Sequence, residues 1–171
     1  MGLDIYFHKT NRKDWKNFQN NLKAYDSLPE SEKNEDNNPY NGFDPEDIGY
    51  FRKVNFLMSF FNYEDNCKYK EISKDKLEEL RHSCIEIGRM KPVRYEVTKY
   101  AYGGTDMVTV YSDADQKRCA ELLPTQSGFF FGNTDYDKKY FNDVKEVLSW
   151  VDGVLDNLDD KNEVVLMYCW W

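Results

Sequence analysis

A chain of 171 residues and 20.4 kDa has room for one compact domain, residues 1–171, and hardly for two. It is 40% hydrophobic and 16% aromatic, enough to fill a core, which excludes disorder throughout despite a mean hydropathy of −0.83. Its 31 acidic and 23 basic side chains leave a net charge of −8, the wrong sign for a nonspecific grip on nucleic acid or an anionic membrane.

In chain order, Leu3, Ile5 and Phe7 alternate with Asp4 and Tyr6, the period of a half-buried strand. Trp15, Phe18, Leu22 and Tyr25 then recur at helical spacing, predicting a short amphipathic helix over residues 13–26. Residues 28–47 dissolve into Pro, Asn, Asp and Glu, a long irregular loop of the kind that usually carries function or moves. Asp44 before Pro45 looks like an N-cap, and Ile48, Phe51, Val54, Leu57, Met58 and Phe61 predict an amphipathic helix behind it. A second helix is expected from Ser73 to Gly88 through Leu77, Leu80, Cys84 and Ile87. Two β-rich runs, Val93–Val97 and Met107–Tyr111, flank Gly103-Gly104 and predict a hairpin. A short helix over 114–123 stops at Pro124. The clearest helix carries Tyr140, Val144, Val147, Leu148, Val151, Val154 and Leu155 on one face, and VVLMYCWW at 164–171 reads as a closing, well-covered strand. The expected fold is therefore α+β: one domain of about four mainly antiparallel strands with amphipathic helices packed on the sheet.

The opening MGLDIYF is too short and too acidic for a signal-peptide core, and no window supplies the roughly 20 apolar residues of a membrane helix. Tyr6 stands where N-myristoylation of Gly2 would need Ser or Thr. The four cysteines lack any Cys-x-x-Cys or neighbouring His cluster, which fits free thiols in a reducing cytoplasm. A soluble cytoplasmic protein is the expectation.

The sequence shows no P-loop, no Gly-x-Gly-x-x-Gly, no nucleophile elbow and no His-Glu-x-x-His. His82 and Cys84 lie two apart on a helix and diverge, so they make no nucleophile pair. The acids around Asp36, Asp44, Glu46 and Asp47 lack calcium-loop spacing, and no metal or cofactor is expected. Two stretches hold more than a core requires: Tyr50-Phe51-Arg52-Lys53-Val54-Asn55 and the run from Leu122 to Asp137. The second contains Phe129-Phe130-Phe131, either a strand buried on both sides or a run with one ring lining a pocket. Arg52 could hold an anion or carboxylate there, with Thr125, Gln126 and Ser127 at the rim.

These stretches also carry a resemblance. MGLDIYF, YFRKVNFLMSFF with Asn66-Cys67, and LLPTQSGFFFGNTDYDKKYFNDV resemble a family of small uncharacterised proteins of bacteriophages and prophages. The resemblance implies no established activity. Its matching positions mark Asp4, Arg52, Lys53, Asn55, Thr125, Gln126, Phe130, Tyr136 and Asp137 as a shared pocket. Relatives carry Ile-His where this chain has Leu57-Met58, so a shared histidine chemistry is not expected.

Charge is uneven: residues 1–50 hold 10 acids and 6 bases, and residues 134–171 hold 9 acids and 4 bases, around a nearly neutral middle. Such blocks could steer the chain onto a basic partner through Glu35, Asp36, Asp156, Asp159 and Asp160. The expected function is a nonenzymatic phage-derived inhibitor that binds a host defence protein or RNA-guided effector complex, as anti-CRISPR proteins do. The alternative is a small-molecule or nucleotide-binding protein, with weak enzymatic activity at most, built around Arg52 and Thr125–Tyr136.

Overall fold

The computed structural model describes residues 2–99 and 103–171; Met1 of the opening run and the tip of the predicted hairpin at 100–102 lie outside the described residues. The fold is α+β. A four-stranded sheet has the order β2-β1-β6-β3, formed by β1 (Asp4–Asn11), β2 (Glu46–Arg52), β3 (Lys70–Ile72) and β6 (Glu163–Trp170), with antiparallel pairing throughout. A separate ribbon pairs β4 (Arg94–Lys99) with β5 (Thr105–Val110). Helices α1 (Arg12–Asp26), α2 (Phe56–Phe60), α3 (Lys74–Gly88), α4 (Asp113–Leu122) and α5 (Lys138–Asn157) complete the domain. Among the described residues, no helix is long and apolar enough to cross a membrane.

Local chemistry accounts for most of these elements. Asn11, Ser73, Ser112 and Asp137 each accept a hydrogen bond from a backbone N–H of the first turn, starting α1, α3, α4 and α5. Side chains alternate along the central strands. Ile5, Phe7, Val165, Met167 and Cys169 enter the main core, where Tyr140, Phe141, Val144, Val147 and Val151 of α5 meet them with Leu77, Leu80, Cys84 and Ile87 of α3. The opposite face receives α1 and the loop after it: Trp15 and Phe18 cover Val164 and Leu166, with Tyr40, Phe43 and Tyr69 around them.

The helix predicted from Asp44 through Phe61 does not form. Residues 46–52 are strand β2, Lys53 takes a φ of 60°, and only Phe56–Phe60 are α-helical. The 3.6-residue spacing arises from inward positions of a strand followed by core anchors of a short helix. Gly49 marks the difference. It pairs with Phe7, and a Cβ on it would come within 2.4 Å of the Trp150 indole nitrogen, which donates to the Ile48 carbonyl at 2.8 Å. The register shifts at Phe7/His8, so Ile48 is the extra residue of a bulge over which the indole sits. Arg52, Lys53 and Asn55 therefore do not share a helix. Asp44 caps none.

Two further differences follow. The strands number six among the described residues rather than about four, because β2 reads as helix and β3 is only three residues long. Phe129–Phe131 form a turn, not a two-sided strand: Phe129 is 95% exposed, Phe130 is half-buried and Phe131 packs edge-on against Trp171. The irregular loop begins as expected but ends where β2 starts at Glu46. It contains two 3-10 turns, Glu30–Glu32 and Pro39–Gly42, held by amides: Asn34 and Asn37 each accept from the other's backbone N–H, and Asn41 donates to the Glu35 carbonyl at 2.7 Å.

Candidate functional site

The two stretches singled out in the sequence do meet, and Asn55 joins them. Its buried side chain donates to the carbonyls of Phe131 (3.2 Å) and Asn133 (2.9 Å) and accepts from the Gln126 N–H (3.4 Å). Around it Ser59 donates to Gln126 Oε1, Thr125 Oγ1 donates to the Thr134 carbonyl, and the Thr125 N–H reaches the Tyr136 hydroxyl at 3.4 Å. Leu3 donates to the Phe130 carbonyl, tying the same strap to the start of β1. Asp137 serves the strap twice, capping α5 through Oδ1 and accepting from Asn133 through Oδ2.

A cavity of about 200 Å³ remains there, lined by Lys53, Asn55, Thr125, Asp137, Lys139 and Asp143 among others. Burial pushes the Asp143 carboxyl up, against the pull of its Lys139 partner. Arg52 does not line this cavity. It lies on the other side of the sheet, 2.9 Å from Asp4 Oδ1, and Tyr50 donates its hydroxyl to the same oxygen. That bond, more than any other effect, raises the Tyr50 hydroxyl above its usual range. Asp4 is thus a buried carboxylate satisfied by its own strand neighbours, and the guanidinium already holds an anion belonging to the chain.

The acids proposed for docking divide in the same way. Asp159 caps the α5–β6 turn, accepting from Asn162 Nδ2 (2.7 Å) and the Lys161 N–H, which holds its carboxyl below the usual range. Asp160 receives the Arg12 guanidinium on its carbonyl at 2.7 Å and lies 3.5 Å from it through Oδ1. Asp156 is an exposed residue near the end of α5. Glu35 and Asp36 line a groove of about 850 Å³ between α1 and the 28–43 loop, with Asn17, Asn21 and Asn41.

What the strands assemble on their open face is a tyrosine row. Cross-strand register sets Tyr50 beside Tyr6 and Tyr6 beside Tyr168, and puts Asp4 between Arg52 and Trp170 one level away. Ring centroids are 5.1 Å apart for Tyr6–Tyr50, 6.4 Å for Tyr6–Tyr168 and 5.1 Å for Tyr69–Tyr168. Helix α1 covers the far end of this face but not this end, where Tyr50 is 52% and Trp170 48% exposed. The Asp4–Arg52 pair lies beside Tyr50, and acids act on the row's other side, at Tyr69 and Tyr40. Burial raises the hydroxyl pKa of Tyr69, with Tyr40 and then Asp47 and Asp44 adding to it; Tyr40 is raised by burial first, then by Asp26, Cys67 and Asp65. No family model, curated protein or solved structure matches this chain. The site is therefore read from its own geometry.

The sequence singles out Asp4, Arg52 and the stretch that opens with Tyr50, but not Tyr6, Tyr168 or Trp170. The available signal was parity: 4, 6 and 8 in one strand and 166, 168 and 170 in another are the positions opposite the core. Pairing them needs the register, which a sequence does not display.

Groups suited to chemistry are few. Burial pushes the Cys84 thiol up to about 12 and Cys119 to about 11, so neither offers a thiolate at neutral pH. Among the described residues, no three His, Cys, Asp or Glu side chains converge as a metal site. His8 lies on the tyrosine face, its Nδ1 2.8 Å from Asp47 Oδ1 but off hydrogen-bond geometry, and burial lowers its pKa despite that carboxylate. The neutral form is therefore favoured by folding. Its stabilisation is present above pH 6.5, the unfolded value, and is lost as pH falls below it. Melting temperature should drop as pH is lowered from about 6.5, and His8→Gln should flatten that slope. An unchanged slope in the variant would show that other groups set it.

Proposed function

We propose that this protein is a nonenzymatic docking protein whose tyrosine-rich sheet face receives Lys or Arg side chains of a cationic partner. The supporting observation is the open row Tyr50, Tyr6 and Tyr168 with Trp170, with Asp44 and Asp47 acting on the neighbouring Tyr69. Aromatic faces attract cations, by about 0.5–2 kcal/mol each when partly desolvated. Tyr, Trp and Arg are also the residues that dominate protein-protein hot spots. The net charge of −8 steers a basic surface toward the molecule, while the rings supply the contact. The resemblance to phage and prophage proteins supports a bacterial defence complex as the partner, whose positively charged nucleic-acid channel this chain would occupy and inhibit.

The small-ligand alternative has one observation in its favour, the 200 Å³ cavity beside Asn55. Its lining supplies three carboxylates, Asp135, Asp137 and Asp143, against the ammonium groups of Lys53 and Lys139, which suits neither a nucleotide nor another polyanion. Docking is the stronger reading.

An oligo-arginine peptide tests it. Calorimetric titration should give saturable binding, and the double variant Tyr50→Ser/Trp170→Ser should weaken it by about tenfold or more. Asp159→Asn/Asp160→Asn should leave the affinity near wild type once salt screens long-range charge. Equal losses in both variants would return docking to the acidic turn.

A further inference from the structure

The β4–β5 ribbon stands apart from the main sheet, and its outer strand is left open. Among the described residues, β4 pairs with no strand but β5. Every side chain from Val93 to Val97 is exposed, including Val93 at 58%, Tyr95 at 61% and Val97 at 66%. These three share one face of the ribbon, and Arg94 and Glu96 share the other, 2.6 Å apart. On the β5 side the ribbon turns toward the body, where Tyr111 stacks on Phe141 of α5 at 3.5 Å. An exposed strand edge carrying two valines and a tyrosine is a template for another strand.

We infer that this edge pairs with the same edge of a second copy, antiparallel and centred on Tyr95, to give a continuous four-stranded ribbon across a twofold axis. The pattern of β4 is self-complementary in that register and no other argument is needed to select the occupant. Tyr95 meets its own equivalent, Val93 meets Val97 of the other copy, and Arg94 meets Glu96 of the other copy, each of the last two pairs occurring twice. Shifting the centre by one residue to either side sets Arg94 or Glu96 against itself across the axis. Pro92, lacking an N–H, ends the ladder just before Val93. The interface uses none of the residues of the tyrosine face, so dimerisation and partner docking are separable.

The test is a charge swap read by light scattering and sedimentation, with circular dichroism to confirm the fold. Wild type should form a dimer that dissociates on dilution. Arg94→Glu and Glu96→Arg each place like charges opposite one another twice, and each should raise the dimer dissociation constant by about tenfold. The double variant R94E/E96R restores both pairs and should return the constant to near wild type. Under mild oxidation Tyr95→Cys should crosslink two copies, whereas Val97→Cys, which faces Val93, should not. A chain that stays monomeric at every concentration, a double variant no better than the single ones, or crosslinking at 97 rather than 95 would overturn the pairing.

Discussion

Asn55→Ala should lower the free energy of unfolding by about 3 kcal/mol, because one buried amide satisfies three backbone groups of the 122–137 strap. The carbonyls of Phe131 and Asn133 lose their donor and the Gln126 N–H loses its acceptor, all at a site where the side chain is only 3% exposed. The carbonyl of the exposed Asn133 can turn to water in the adjoining cavity, but the bond to the Phe131 carbonyl is buried, and there the cost approaches the desolvation penalty rather than the smaller net value of an exchanged hydrogen bond. Asn55→Asp is the sharper variant. It keeps an oxygen for Gln126 but turns a carboxylate toward two carbonyl oxygens, and should be at least as damaging as alanine. Urea denaturation measures both. A loss below about 1 kcal/mol would mean that the strap relaxes and finds other partners.

Gly49→Ala should cost about 2–3 kcal/mol, a large penalty for adding one methyl group. The new Cβ falls 2.4 Å from Trp150 Nε1 and 2.9 Å from Cδ1. The indole has little room to withdraw, since it donates to the Ile48 carbonyl and packs against Phe7 (centroids 4.2 Å apart) and Phe51 (5.6 Å). Either the ring loses its hydrogen bond or β2 lifts from β1 at the bulge. The second outcome would also disturb Tyr50 and Arg52 downstream. In the background Trp150→Leu the same Gly49→Ala change should be nearly neutral, because the clashing ring is gone, and that coupling is what a double-mutant cycle reads. Equal costs in both backgrounds would show that the penalty lies in the strand backbone rather than in the indole contact.

Much of the fold was legible in the sequence, for a physical reason. β1, α3 and α5 each carry one apolar face over at least two periods, β6 is apolar almost throughout, and Ser73 stands at the start of α3. The first three announce themselves because a single face meets a single core, and β6 because its two faces meet two. β2 does not. It is short, Gly49 replaces one of its inward side chains, and the core residues that follow it in α2 complete a spurious helical stripe. Gly49 is the residue that argues against a helix there, since glycine is costly in a helix interior and tolerable where an aromatic ring crosses a strand.

The site was legible only in part. Asn55, Thr125, Gln126 and Asp137 are brought together, but as the fastenings of a strap. The tyrosine row needs three strands in register, and its members Tyr6, Tyr50 and Tyr168 lie far apart in the chain. Charge counting had a similar limit: it located acids at both ends but not that Arg12 and the α5–β6 turn already engage Asp160 and Asp159. What charge counting does support is a field, and a field steers without choosing a contact.

The most direct test of docking through the sheet face is a titration of isotope-labelled protein with oligo-arginine, following aromatic side-chain resonances by NMR. The account predicts saturable shifts concentrated on Tyr6, Tyr50, Tyr168 and Trp170, with Tyr25 beside the α1 groove unmoved. Shifts gathered instead around Glu35 and Asp36, or the absence of any saturable change, would contradict it.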